Sequence, residues 1–233
     1  MYTLDTEYQP LFRDRIAAGV ELARVLDRYH ARHGVTPLVL GIPRGGVPVA
    51  AEVARRLDAD LDVIVARKLG SPISPELAIG AVTASGVRYL DQAAIDELGV
   101  SAAYVERVAR EQTAEARRRE TLFHRMGARI AVLQRVVIVV DDGLATGSTM
   151  RAAVRAVRQG PPSWLVVAVP VGPPETCAEL RLEADEVVCP HEIEGFLAVG
   201  AYYEHFEATE DSEVVQILRG WSEMRRQRRA ETV

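Results

Sequence analysis

Cysteine is nearly missing from this chain: only Cys177 and Cys189 occur among 233 residues. Two thiols cannot build the disulfide framework of a small secreted domain, and neither is spaced with histidine as a zinc site requires. No apolar run approaches the roughly 18–20 residues that a membrane span needs. The opening residues Met1-Tyr-Thr-Leu-Asp-Thr-Glu-Tyr8 lack the basic start and apolar core of a secretory signal. Positive charge is not in excess either, since 28 Lys and Arg face 33 Asp and Glu, for a formal net charge of −5. A general nucleic-acid binder needs the opposite balance on its binding face. The local basic clusters, Arg117-Arg118-Arg119 and Arg225, Arg226, Arg228 and Arg229, therefore read as solvated helix faces or a tail. Internal repeats and low-complexity tracts are absent as well. What remains is a soluble globular composition, 48% hydrophobic and 26% charged, long enough to bury a full core. A single domain over 1–233 with insertions, located in the cytoplasm, is the expectation.

Apolar runs alternate with helical patterns over most of the length. Strands are expected at 38–42, 61–66, 136–140, 164–169 and 186–189, with helices at 11–31, 48–57, 148–159 and 174–183 between and around them. Five strands alternating with helices predict an α/β fold, an open and mostly parallel sheet with helices on both faces. Two segments break that rhythm. Residues 69–90 hold Gly70, Pro72, Pro75, Gly80 and Gly86 between strand-like fragments, which suggests a long mobile loop or a ribbon. Residues 91–127 are helical and charged. Ser101 caps a predicted helix running to about Met126, which at 1.5 Å per residue would be about 39 Å long. Its larger apolar residues lie at its ends, so it is expected to protrude from the sheet.

The most informative stretch is 136–149, Val-Val-Ile-Val-Val-Asp-Asp-Gly-Leu-Ala-Thr-Gly-Ser-Thr. A buried strand ends at two carboxylates, a loop of small and hydroxylated residues follows, and a helix begins. The loop has no lysine, so it is not the nucleotide-triphosphatase pattern. Backbone N–H groups from Ala145 to Thr149 at a helix start favour a dianion. Thr146, Ser148 and Thr149 add hydroxyls, and Gly147 permits close approach. Asp141 and Asp142 would repel phosphate, so they suit sugar hydroxyls or a hydrated Mg²⁺. The bland alternative is an ordinary strand-to-helix turn with an aspartate cap.

Residues 139–150, Val-Val-Asp-Asp-Gly-Leu-Ala-Thr-Gly-Ser-Thr-Met, resemble the phosphoribosyl-pyrophosphate signature of type I phosphoribosyltransferases. They are especially similar to the adenine-type form, which has alanine where Ala145 stands. The resemblance implies ribose binding by Asp141 and Asp142, and 5′-phosphate binding by Ala145, Thr146, Gly147, Ser148 and Thr149. It also implies Mg²⁺ as cofactor, with phosphoribosyl pyrophosphate and a small-molecule acceptor as partners. A homo-oligomer is compatible with it.

A second anion site is expected at Gly41-Ile-Pro-Arg-Gly-Gly-Val-Pro48, where a guanidinium can fork two oxygens and glycines remove bulk. It resembles the family's pyrophosphate loop, so Arg44, Gly45 and Gly46 take that role, joined by Arg67 and Lys68 at the end of the next strand. Arg44 and Lys68 are the expected catalytic cations, and Glu76 is the candidate acid or base. Residues 190–206 resemble the hood of hypoxanthine-type members. That likeness implies Phe196 and Leu197 against the acceptor and Glu204 beside the metal with Asp141 and Asp142. Phe196 lies one residue further from Gly200 than the pattern wants, and the oxopurine-sensing lysine is replaced by Ala168-Val-Pro-Val-Gly172. The leading expectation is an Mg²⁺-dependent phosphoribosyltransferase releasing pyrophosphate. The alternatives are a non-catalytic regulatory protein that binds phosphoribosyl pyrophosphate or a nucleotide, and a hydrolase of a phosphorylated sugar or nucleotide.

Overall fold

The computed structural model describes residues 10–30, 36–75, 77–124 and 129–231. In chain order these form α1 (Arg15–Val25), β1 (Leu38–Gly41), α2 (Gly46–Leu57), β2 (Asp60–Val63), β3 (Ala66–Gly70), β4 (Ala78–Thr83) and β5 (Arg88–Leu90). There follow α3 (Gln92–Glu97), α4 (Ala102–Phe123), β6 (Val136–Val140), α5 (Ser148–Arg158), β7 (Trp164–Ala168) and β8 (Val171–Gly172). The chain continues through α6 (Pro174–Leu180), β9 (Glu186–Val188), β10 (His191–Glu192) and α7 (Asp211–Glu231). β2, β1, β6, β7 and β9 lie side by side in that order, all parallel. Their apolar runs are buried because helices cover both faces. Val39, Ile138 and Val166 meet α1 and α2 on one side, while Leu38, Val137 and Val167 meet α5 and α6 on the other. The expected α/β architecture is the one observed.

Helix 11–31 is shorter than its apolar spacing predicts. Asp14 caps it by accepting from Ala17 N–H at 2.8 Å, so the helix starts at Arg15. It ends at Val25, and a 3₁₀ turn covers 27–29. The ribbon alternative holds for 69–90: β3, β4 and β5 form an antiparallel sheet in which every residue of β4 is buried.

The inserted helix does begin at Ser101, whose hydroxyl accepts from Tyr104 N–H at 3.3 Å, and it runs to Phe123; the predicted end at Met126 lies outside the described residues. It packs along the ribbon rather than standing free. Val105, Val108 and Ala109 pack on Leu69, Ile79 and Val82 of the ribbon, while Ala116 and Phe123 pack with Val65, Ala84 and Val214. Ala109 and Ala116 are fully buried in the helix middle. Their lack of bulk lets the helix lie close, and a reading weighted to large apolar residues misses them.

The end of α4 is pinned to β2 by a buried polar pair. Asp62 accepts from His124 Nε2 at 2.7 Å and from Ile130 N–H at 2.9 Å. Asp62's partnership raises the His124 pKa above its ordinary value, against an opposing contribution from burial. A raised folded-state value means the protonated imidazole stabilises the fold below about pH 6.5, and that contribution is lost as pH rises through the folded value. Urea midpoints between pH 5.5 and 8.5 are expected to decline accordingly, and His124→Gln should flatten the decline. A pH-independent difference between the two proteins would contradict this account.

Candidate active site

The site is assembled from two turns that adjoin at the carboxyl edge of β1 and β6. The first, 42–46, leaves β1 and enters α2; its Pro43–Arg44 peptide is cis. The second, 141–148, leaves β6 and enters α5. They meet through glycine. A Cβ on Gly46 would lie 2.7 Å from the Val140 carbonyl oxygen and 2.8 Å from Asp141 Cα. One on Gly45 would lie 2.8 Å from Asp142 Cγ and 3.1 Å from Arg15 Nε. No other residue type lets the Arg44 turn seat against the acidic pair.

Asp141 Oδ1 accepts from Asp142 N–H at 2.9 Å. Burial, followed by the charge of Asp142, pushes Asp141 well above the usual carboxylate range. Asp142 is also raised by burial, but Arg15 opposes the shift, with Nε donating to Oδ2 at 2.7 Å. Arg15 was not anticipated as a site residue. It stands at the first turn of α1, 127 positions away, donates to Glu207 carbonyl at 2.8 Å and lies over the Phe206 ring at 3.9 Å.

Gly147 has φ +71°, which reverses the chain before α5 and leaves Ser148, Thr149 and Met150 N–H groups at a free helix start. Thr176 Oγ1 donates to Ala145 carbonyl at 3.0 Å, so α6 braces the loop. Ser148 is buried and its hydroxyl lies 3.1 Å from Thr146 Oγ1, while Ala145 and Thr146 are exposed. The ribbon leans on this same helix, with Tyr89 under Arg151 and Arg155 at 5.1 and 4.9 Å.

A cavity of about 520 Å³ opens beside the two turns, lined by Pro43, Arg67, Lys68 and Thr149 and walled by α4. The start of α5, the ribbon base and the first turn therefore share one space. Arg67 Nε donates to Gln112 Oε1 at 2.6 Å. Lys68 is exposed and is the only lysine in the chain, a compositional signal that would have singled it out. Arg44 turns toward the start of α7, where its Nη1 lies 3.4 Å from Glu210 and 3.9 Å from Asp211.

Among the described residues no three or more His, Cys, Asp and Glu are grouped as metal ligands, and Glu204 is exposed. Its backbone N–H instead bonds Phe12 carbonyl at 2.9 Å, because the hood pairs with the segment before α1 and carries Glu204 outward. Phe196 stacks on buried Tyr202 at 4.9 Å within the hood's own core, and Leu197 is exposed. Glu76 lies outside the described residues. Tyr203, also missed, donates to Asp142 carbonyl at 2.6 Å and ties the hood to the acidic motif. His191 pairs with Glu21 at 2.6 Å, consistent with a structural histidine.

Sequence comparison adds independent findings. The family model described as "Phosphoribosyl transferase domain" matches residues 14–204. A Mycobacterium tuberculosis protein named "Putative phosphoribosyl transferase" is 45% identical over 208 residues, covering 89% of this chain and 46% of its own length. The chain thus spans about half the length of the curated relatives it matches. The crystal structure of TT1426 from Thermus thermophilus is 44% identical, covers 90% of this chain and 98% of that one, and superposes with a TM-score of 0.72. Among the described residues no helix is long and apolar enough to cross a membrane. With the acidic pair, the glycine-seated turn and the phosphate-sized loop found on one sheet edge, this chain belongs to the phosphoribosyl transferase family.

Proposed function

We propose that this protein transfers ribose 5-phosphate from phosphoribosyl pyrophosphate to a nucleobase-like acceptor, with release of pyrophosphate and with Mg²⁺ as cofactor. The observation that carries the reading is the seating of the Arg44 turn against Asp141 and Asp142, which brings two anion-favouring turns side by side. The helix start at 147–149 takes the 5-phosphate through backbone N–H groups and its dipole. Asp141 and Asp142 accept from the ribose hydroxyls. Arg44, Arg67 and Lys68 receive the pyrophosphate, whose charge grows as its bond to C1 stretches. Fixing both ends of the donor holds C1 in line for the acceptor nitrogen.

Mg²⁺ fits the acidic pair, because it is usually held by one or two carboxylates together with substrate phosphates. When bound there it would neutralise the leaving group, and its charge would favour the ionised form of both carboxylates. The charged insertion would suit the regulatory alternative if it presented a partner surface; α4 lines the cavity together with Arg67 and Lys68, which supports the transferase reading.

Lys68 offers a direct test. Because it is the only lysine, amine acetylation followed by peptide mass spectrometry reads one side chain. Pyrophosphate at saturating concentration is expected to slow Lys68 acetylation at least about fivefold, as a charge-assisted contact would. Equal rates with and without pyrophosphate would remove Lys68 from the site. Transfer itself is tested by pyrophosphate release across a panel of nucleobases. Tight donor binding with no release from any base would favour the regulatory alternative.

A further inference from the structure

The wall that α4 contributes to the cavity has no counterpart in the motifs read from the sequence. Arg107, Glu111, Glu115 and Arg119 recur at four-residue spacing, which sets them along one side of the helix. Arg107, Glu111 and Arg119 line the cavity opposite Arg67 and Lys68, with Thr149 of the phosphate loop also lining it. Each arginine is steadied by a glutamate of its own helix. Arg119 Nε donates to Glu115 at 3.0 Å and Arg107 Nη1 to Glu111 at 2.9 Å.

The charges around Arg67 are crowded. Burial lowers its pKa, and the charges of Arg119, Arg118 and Arg44 push the same way, with Glu115 opposing them. Guanidinium groups gathered about a half-buried one repel each other in a medium less polarisable than water. Gln112 of α4 accepts from Arg67 and thereby holds the strand end against the helix. A cleft lined mainly by one sign of charge concentrates ligands of the opposite sign. The lining therefore calls for a compact, multiply charged anion.

We propose that α4 forms the far wall of the leaving-group site, where Arg119 and Arg107 bind the pyrophosphate that Arg67 and Lys68 meet from the strand side. This rests on the transferase reading given above. The insertion is then part of the binding machinery, and the cavity closes around the product from two sides.

Calorimetric titration of pyrophosphate and, separately, of ribose 5-phosphate tests this on the full chain. Arg119→Gln is expected to weaken pyrophosphate binding about tenfold, the loss of one charge-assisted contact. Arg107→Gln, at a half-exposed side chain, should weaken it about threefold. Arg110→Gln is the control: it lies on the same helix but lines a different groove with Arg88 and Thr113. It should leave pyrophosphate binding unchanged, and no variant should alter the affinity for ribose 5-phosphate. Pyrophosphate affinity of Arg119→Gln within twofold of wild type would overturn the proposal, as would an equal loss in Arg110→Gln. If Arg119→Gln fails to fold, Arg107→Gln decides, and an unchanged affinity there overturns it. Should the wild-type chain bind ribose 5-phosphate and phosphoribosyl pyrophosphate but not respond to either α4 variant, only the wall assignment falls. Should it bind none of the three ligands, the transferase reading falls with it.

Discussion

Asp142→Asn is expected to abolish measurable binding of phosphoribosyl pyrophosphate and to lower stability by about 3 kcal/mol, the cost of breaking a largely buried ion pair. Two losses combine. The amide keeps one acceptor oxygen where the carboxylate has two, loses the negative charge, and presents N–H donors where acceptors are needed. Arg15 also loses its countercharge. Only 13% of its side chain is exposed, so water cannot fully replace Asp142. Because Arg15 also holds Phe206 and the Glu207 carbonyl, the hood is expected to loosen with it. Calorimetry reads the first effect and urea unfolding the second. Donor affinity equal to wild type would contradict the assignment of ribose contacts to the acidic pair. Stability equal to wild type would show that the Arg15 pair contributes nothing net. Asp141→Asn should separate the two effects, weakening donor binding while leaving the Arg15 pair in place.

Gly46→Ala should produce the second large effect, costing about 3 kcal/mol through overpacking and removing turnover. The added methyl would meet the Val140 carbonyl and the Asp141 Cα, both backbone atoms of β6 or its extension. Side chains can rotate away from a clash, but a strand hydrogen-bonded on both sides by β1 and β7 cannot. Relief must come from α2 moving outward, which carries the Arg44 turn away from the carboxylates. Gly45→Ala meets side-chain atoms of Asp142 and Arg15 instead, so its stability cost should be smaller while its loss of donor binding should match. Thermal melts and donor titrations of the pair give the ranking. A Gly46→Ala protein with wild-type melting and wild-type turnover would show that the two turns need not touch.

Much of the architecture was legible because its signals are local. The run Val136–Val140 is apolar over its full length, as a strand covered on both faces must be. The abrupt change to Asp-Asp-Gly marks where it leaves the core. Errors followed where the deciding contact was distant in sequence. The apolar spacing of 11–31 continues past the residues that the sheet covers, so the predicted helix exceeds α1. In α4 the buried Ala109 and Ala116 carry little hydrophobic weight in a pattern, although in a packed helix alanine permits the closest approach.

The amino-acid order by itself determined the parallel α/β sheet, the two loops that follow β1 and β6, and the family to which they point. Each depends on residues adjacent along the chain, whose alternation of apolar, small and charged side chains dictates local backbone and burial. Tertiary structure alone decided that Arg15 meets Asp142, that Tyr203 fastens the hood to the same motif, and that α4 walls the cavity beside Lys68. Those pairings join faces of separate elements. Which faces meet is settled only when the whole core packs, because burying one apolar surface constrains the orientation of every other.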